Sequence, residues 1–507
     1  MKKITYLRNF GEKIFPNNSL SRNAALVVIG DGINFTAVII TSMILARIIT
    51  VDAMAIYRQV IYLGGLAQSI VEFGLSSSIY RFWNLLDETG RSTFIKIQIT
   101  LSMSLGVLAS VTLAILAPYI EVWYNNPGLK VALLIACASP LVNIVPLTIR
   151  PVMICKGKPL FATFTQLFFS LAMALGIIIP FYFTSNLNIA LAVWMSVNFI
   201  EVLITLFILQ PELKTNAPRW NKKMFIDTWH YLWPIQGGRI PGIITNYSDK
   251  IATSVFLNPQ QFAAYSLGAR ELPFVGGIGY SISSVMIPKL VIYADTGNID
   301  AICSLWKRAI KQTSILIYPI IGFSIWFSVP LVNLLYSSKY VESSIPFAVF
   351  ASITYIRVIE YASLAKAFGK THLIMQSAIL AAVTMLSLSI PMTKFLGIWG
   401  MSFSVLFAQL VSNGYLIIKY KKILKTKIND FYPIKYLILI VILSILSPII
   451  SQIFLRSFLP LNMMDSFILL SIKLLCYLIS SIGFYVLFLL VFKILQINEI
   501  KKILKII

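Results

Sequence analysis

Charge is scarce in this chain. Only 12% of its 507 residues are Asp, Glu, Lys or Arg, and Asp and Glu together number 19. Histidine occurs twice, at His230 and His372, and cysteine four times, at Cys137, Cys155, Cys303 and Cys476. Each shortage excludes some chemistry. Two distant histidines leave no His-Glu-x-x-His zinc motif and no Ser–His–Asp arrangement. Four scattered cysteines without a Cys-x-x-Cys pair imply neither a metal site nor a disulfide framework. No glycine-rich loop ends in Gly-Lys-Ser or Gly-Lys-Thr, so the chain has no phosphate loop for nucleotide hydrolysis. No long polar segment remains for a soluble catalytic domain. The expectation is a protein that is not an enzyme and needs no metal or cofactor.

Apolar residues are abundant instead. The chain is 58% hydrophobic, with a mean hydropathy of +0.83. Apolar runs long enough to cross a bilayer recur throughout, which predicts an all-α integral membrane protein. Fourteen spans are expected, at 24–49, 54–79, 95–119, 129–150, 160–183, 188–209, 226–256, 261–287, 310–335, 345–368, 372–393, 396–418, 433–455 and 466–492. The first apolar run is long and lacks a small-residue cleavage site, so no cleaved signal peptide is expected.

The net charge of +23 points to the membrane surface rather than to nucleic acid, because it lies in short loops between spans. Basic residues gather in alternate loops, such as Lys214, Arg219, Lys222 and Lys223, or Lys421, Lys422, Lys425 and Lys427. The intervening loops are short and nearly free of them. By the positive-inside rule both termini face the cytoplasm. The expected location is the bacterial inner, or cytoplasmic, membrane.

The chain also resembles itself. VDAMAIYRQV followed by GLSSSIYR in the first half matches NPQQFAAYSLG followed by YSISSVMIPK in the second. Tyr57 pairs with Tyr265 and Arg81 with Lys289, both at an offset of 208. Spans 1–6 and 7–12 would be parallel repeats, with two further helices. The expected organisation is a tail at 1–22, a first lobe at 23–210, a cytoplasmic linker at 211–225, a second lobe at 226–420, and the last two spans with a basic tail at 421–507.

Charged residues nonetheless occur inside the spans: Asp31, Arg58, Glu72, Glu201, Arg239, Asp249, Lys250, Arg270, Glu271, Arg357, Glu360 and Lys473. A charge at the bilayer centre costs roughly 2.5–3.5 kcal/mol on insertion scales. Such residues face a bundle interior or a wet path, and a transporter is the default reading. Arg357 and Glu360, three apart, are expected to pair along one helix face. Lys473 is expected to snorkel to the interface. VGGIGY at 275–280 lies within an apolar helix, so its glycines read as close helix packing rather than a dinucleotide site. Pro234 and Pro241, with Gly237, Gly238 and Gly242, predict a kink in span 7.

The junction MILARIITVDAMAIYRQV, the following VEFGLSSSIYRFW, and YLWPIQGGRIPGIITNYSDKIATSVFLNPQQFAAYSLG resemble Wzx-type flippases of the multidrug/oligosaccharidyl-lipid/polysaccharide exporter superfamily. The resemblance implies two six-helix lobes around a central cavity lined by spans 1, 2, 7 and 8. It implies a polyprenyl-pyrophosphate-linked oligosaccharide as cargo, moved to the outer leaflet by alternating access. Membrane lipid, a polysaccharide polymerase and other assembly proteins are the implied partners. On that reading Arg58, Arg239 and Arg270 would hold the anionic head, since guanidinium groups match phosphate oxygens. Asp31, Glu72, Asp249 and Glu271 would balance those charges or take up a coupling ion. The alternatives are a flippase for a peptidoglycan lipid precursor and a multidrug cation antiporter of the same superfamily.

Overall fold

A computed structural model of the chain describes residues 19–272, 275–462, 465–492 and 494. The basic tails expected at either end lie largely outside this range. Among the described residues there is helix and no strand. Every one of the fourteen expected spans falls on helix, but several are interrupted.

By contacts the chain forms two compact units, one up to Ile243 and one from Ile244. The first contains α1 (Ser19–Ile48), α2 (Val51–Val71), α3 (Leu75–Phe82), α4 (Glu88–Trp123), α5 (Leu129–Ala136), α6 (Ser139–Ile144), α7 (Ile149–Cys155), α8 (Pro159–Thr184) and α9 (Leu187–Ile208). The division falls within α10 (Lys222–Phe256). The second unit holds α11 (Pro259–Gly268), α12 (Val275–Asp295), α13 (Ile299–Trp326), α14 (Ser328–Tyr336), α15 (Ser344–Ile356), α16 (Ala362–Ala367), α17 (His372–Leu424), α18 (Ile434–Leu455) and α19 (Phe467–Val491).

The order of elements repeats. Each unit has a broken helix pair (α2–α3, α11–α12), then a long helix (α4, α13), then a second broken helix (α5 to α7, α15–α16), then two antiparallel lengths. In the second unit those two lengths are the halves of α17, divided at Gly397 by a non-helical backbone (φ 57°, ψ −132°). The first pairs begin alike. Thr50 caps α2 with φ −70° and ψ 160°, accepting a hydrogen bond from Ala53 N–H. Asn258, offset by 208 residues, caps α11 with φ −70° and ψ 161°, accepting from Gln261 N–H. A side-chain oxygen here satisfies a helix N–H that has no intrahelical partner. At the start of α4, Asp87 accepts from Gly90 N–H and from Thr89, which holds its carboxyl below the usual carboxylate range.

Among the described residues six helices are long and apolar enough to cross a membrane: α4, α8, α9, α17, α18 and α19. Two bent sets raise the number to eight, α5 with α6 and α7 (41°) and α13 with α14 (81°). Of the other expected spans, span 2 stops at Val71 and span 8 at Gly268, and span 7 carries charges along α10. Apolar side chains point outward along whole helices, as Phe164, Phe168, Leu171, Leu175 and Ile179 do on α8. A stripe of that length in water would aggregate, and facing lipid it costs nothing.

The core of the first unit gathers Leu75, Ile79, Trp83, Phe94, Ile95, Ile149 and Val152. Leu232, on the first half of α10, is buried in the same cluster. That half of α10 therefore packs with the first unit. In the second unit α18 packs on α13, and Leu470, Leu474 and Tyr477 of α19 close a cluster with Phe323 and Phe327. Lys473 is buried and donates to Asp465 at 2.8 Å and to the Pro460 carbonyl at 2.6 Å.

Gly322 sets the approach of α18 to α13. A Cβ there would lie 2.0 Å from the Ser444 carbonyl oxygen. Gly322→Ala should destabilise the protein by about 1–3 kcal/mol through overpacking. Gly414→Ala, where a Cβ meets open space, should be neutral or stabilise by up to about 1 kcal/mol. Thermal unfolding in detergent measures both, and equal melting would contradict the packing at Gly322.

Candidate functional site

The charged residues collect where helices break. Span 2 does not run through. It stops at Val71, turns at Phe73 (φ 50°) and Gly74 (φ 69°), and restarts at Leu75. Two successive left-handed residues end any α-helix, and a side chain at Gly74 would also strike Ile235 at 2.8 Å. The last carbonyls of α2 then lose their intrahelical partners. Gln236 on α10 replaces them, its side-chain N–H donating to Ile70 O at 2.8 Å and Ser69 O at 3.3 Å. Arg239, three residues on and on the same face, donates to Glu72 at 2.8 Å. Trp229 and Trp233 complete the stripe by stacking on Phe73, with ring centroids at 5.3 and 6.2 Å. One face of α10 thus clamps the break and holds its one carboxylate.

Two further breaks meet in the second unit. α11 ends at Gly268, where a Cβ would lie 2.2 Å from Ser343 O, and the chain restarts in α12 beyond Arg270 and Glu271. α15 ends at Ile356 and α16 begins at Ala362. Glu271 and Arg357, one from each break, form an ion pair. Tyrosine hydroxyls satisfy the freed carbonyls: Tyr318 donates to Tyr355 O, Tyr361 to Ile356 O and Tyr420 to Tyr361 O, all within 2.7–2.9 Å. Ser283 of α12 accepts from the Glu360 N–H at 3.0 Å. A Cβ on Gly279 would lie 2.9 Å from Val358 O, so the VGGIGY glycine does serve close packing.

The expected Arg357–Glu360 pair is not made. The backbone leaves the helix at Arg357 (φ −92°, ψ 41°), so the two residues no longer share a face. Arg357 turns to Glu271, and Glu360 takes Lys366 at 2.6 Å.

The other expected site residues have separate settings. Asp249 is buried on the second half of α10. It accepts from the neighbouring Lys250 at 2.8 Å and from the Tyr265 hydroxyl at 2.9 Å, while its second oxygen has no hydrogen-bond partner. Arg270 is half-buried in the α11–α12 break, and its guanidinium makes no ion pair among the described residues. Arg58 is half-buried on α2. Asp31 lies on α1, and its side chain falls outside the described residues. α10 is helical throughout despite Pro234 and Pro241, and open space lies beside Gly237, Gly238 and Gly242.

Sequence reading did not anticipate two cavities inside the units. One in the first unit, of about 790 Å³, is lined among others by Gln68, Tyr80, Asn143, Arg150, Gln166 and Glu201. One in the second, of about 290 Å³, lies against the α15–α16 break. Their polar lining comes from residues far apart in sequence, and only Glu201, Glu271, Arg357 and Glu360 stood out as charges inside spans.

The corrected pairing is testable by double-mutant cycles. Arg357→Ala and Glu271→Ala should show a coupling of up to about 1 kcal/mol in thermal or denaturant unfolding, the range for a solvent-exposed pair. Arg357→Ala with Glu360→Ala should be additive, and coupling between those two would restore the helical pair.

No curated protein sequence matches the chain. Among solved structures, lipid II flippase MurJ in an inward closed conformation is similar at 16% identity and a TM-score of 0.70, covering 92% of this chain and 99% of its own. An inward-facing multidrug resistance MATE family transporter of the MOP superfamily is similar at 12% identity and a TM-score of 0.63, covering 79% of this chain and 94% of its own. Both likenesses establish the fold. A family model described as polysaccharide biosynthesis protein matches residues 20–292, more than half of the chain and all of the clamped α2–α3 break, and the chain belongs to that family.

Proposed function

We propose that the chain is a flippase that moves polyprenyl-pyrophosphate-linked oligosaccharide units across the bacterial cytoplasmic membrane for surface polysaccharide assembly. The observation that carries this reading is the Arg239–Glu72 pair at a helix break inside a polysaccharide biosynthesis family chain. A pyrophosphate is a large charge to bring near hydrocarbon, and it needs fixed cations. Arg239 is one, already seated on a carboxylate that cargo would displace. Arg270, with no ion-pair partner among the described residues, is a second, and Arg58 a third. Alternation between open sides would exchange Glu72 for cargo phosphate at Arg239, so that neither state leaves a bare charge.

A multidrug antiporter is disfavoured because arginines repel cationic cargo. A peptidoglycan lipid-precursor flippase is the second reading, supported by the likeness to MurJ. Both cargoes share the pyrophosphate and differ in the sugar.

The experiment is transport in proteoliposomes with each lipid-linked cargo, beside complementation of a flippase-null strain. Arg270→Ala should nearly abolish transport while leaving the protein folded, since no partner carboxylate among the described residues is stranded. Arg239→Ala should abolish transport and also lower membrane abundance, because Glu72 is left unpaired. Arg→Lys at either site should keep part of the activity, retaining charge but not the planar fork. Full transport by both alanine variants would rule out the pyrophosphate role. Transport of the peptidoglycan precursor alone would select the second reading.

Orientation has its own test. On this reading the α8–α9 turn lies outside and the segment before α10 in the cytoplasm. A cysteine at Asn186 should react with an impermeant thiol reagent from outside intact cells, and one at Asn221 should not. The reverse pattern would invert the topology.

A further inference from the structure

The face of α10 that clamps the first break carries a ladder of aromatic rings. Phe225, Trp229 and Trp233 follow one another at intervals of four residues, which places them on one side of the helix. Phe225 stacks on Trp229 with ring centroids at 6.3 Å and planes 20° apart. Trp229 stacks on Trp233 at 6.2 Å and 30°. Phe73 stacks on both tryptophans. The next rung would be residue 237, and it is a glycine with open space beside it. Helical side chains lean toward the N-terminus, so a side chain at 237 would lie over Trp233. Trp233 is 61% exposed although it touches two other rings. All of these residues belong to the first unit.

An open aromatic face beside a missing rung is a place for a flat, ring-shaped group. The face of an aromatic ring is apolar and carries partial negative charge. The C–H face of a pyranose is apolar with slightly positive hydrogens, and its hydroxyls point outward around the rim. A sugar stacked on Trp233 covers its apolar face and leaves its hydroxyls in water. The order of groups along the helix says which sugar. Arg239 pairs with Glu72, and Glu72 precedes the stacked Phe73 in the chain. Trp233 precedes Arg239 by six residues, about 9 Å along the helix axis. With the segment before α10 in the cytoplasm, Trp233 lies on the cytoplasmic side of Arg239. A lipid-linked sugar in the inner leaflet has the same order, with its chain in hydrocarbon, its pyrophosphate at the surface and its sugar beyond. An isoprenyl chain would run the other way from Arg239, into the bilayer.

We propose that Trp233 and the gap over Gly237 form a stacking subsite for the sugar residue joined directly to the pyrophosphate. The proposal rests on the flippase reading and on Arg239 as a seat for the pyrophosphate. It gives the protein a means of telling a loaded lipid carrier from a bare one.

The test uses the full-length protein in detergent and calorimetric titration with soluble probes. One probe is geranyl diphosphate, and the others are geranyl diphosphate joined to N-acetylglucosamine or to galactose. The wild type should bind at least one sugar-bearing probe about three- to tenfold more tightly than the bare one, the range for one aromatic stack. Trp233→Leu keeps an apolar side chain without a flat face and should erase that preference. Trp233→Phe should keep part of it. Gly237→Leu leaves Trp233 in place and fills the gap, so it should erase the preference as well. Leucine is a better helix former than glycine and meets open space at 237, so this variant stays folded, which thermal unfolding checks for each protein. Arg239→Ala should weaken all probes together. If Trp233 is only an anchor at the membrane interface, the preference is absent from the wild type or persists in both leucine variants. Either result removes the subsite and leaves the pyrophosphate reading standing. Equal weakening of every probe in Trp233→Leu would make the ring a seat for the isoprenyl chain and overturn the proposal. Failure of every probe to bind the wild type would overturn the pyrophosphate reading, and the subsite with it.

Discussion

A backbone group in hydrocarbon must find its hydrogen bond inside the protein, and each one that fails costs several kcal/mol. Among the described residues several helices are broken, among them those that end at Val71, Gly268 and Ile356. The rest of the structure is arranged around repairing them. Gln236 reaches the carbonyls of Ser69 and Ile70. Tyr318, Tyr361 and Tyr420 reach those at the α15–α16 break, and Ser283 takes the Glu360 N–H. The buried aromatic ring of Trp306 then packs against Tyr361 and Tyr420, fixing the donors in place. Polar residues in these spans are there first because the backbone is broken.

Irregular backbone at membrane depth is tolerated only where protein buries it or where it lines a cavity. Here both hold. The α15–α16 break lines the cavity of about 290 Å³ in the second unit. The α2–α3 break carries Glu72, and Arg239 meets it there at the edge of a clamp made from one face of α10. Repair and charge therefore occupy the same positions. A helix that must be mended by side chains from elsewhere is also a helix that those side chains can release. Gln236 and Arg239 lie three residues apart, so a movement of α10 that loosens one bond loosens the other.

The class of the fold was legible in the sequence because hydropathy and the 208-residue offset are properties of the chain itself. Thr50 and Asn258 show why the offset survives: each is a short oxygen-bearing residue before an apolar run, with a helix N–H to accept. The charges inside spans were legible too, and Glu72, Arg239 and Glu271 do fall at special positions. The breaks were not. Nothing in VEFGLS distinguishes a continuous helix from one that turns at Phe73, a bulky residue with no intrinsic wish for φ 50°. Tertiary contact decides that turn, since Ile235 leaves no room for a side chain at Gly74. The Arg357–Glu360 expectation failed for the same reason: it assumed helical spacing where the helix had ended. The tyrosine donors looked like core residues, and they are core residues, each with one polar end.

Charge balance links the site to transport. The described carboxylates at the breaks are each paired with a cation, Glu72 with Arg239, Glu271 with Arg357 and Glu360 with Lys366. A bound anion must therefore win a cation from a carboxylate, and it gains only the difference between two charge-assisted bonds. That difference is small compared with either bond alone. Binding that is weak in net terms is what a carrier needs, because cargo held as tightly as an arginine can hold it would not leave. Arg270, without such a partner among the described residues, would attract anions with no exchange to make. A seat of that kind suits capture, and one like Arg239, where a carboxylate is ready to return, suits release.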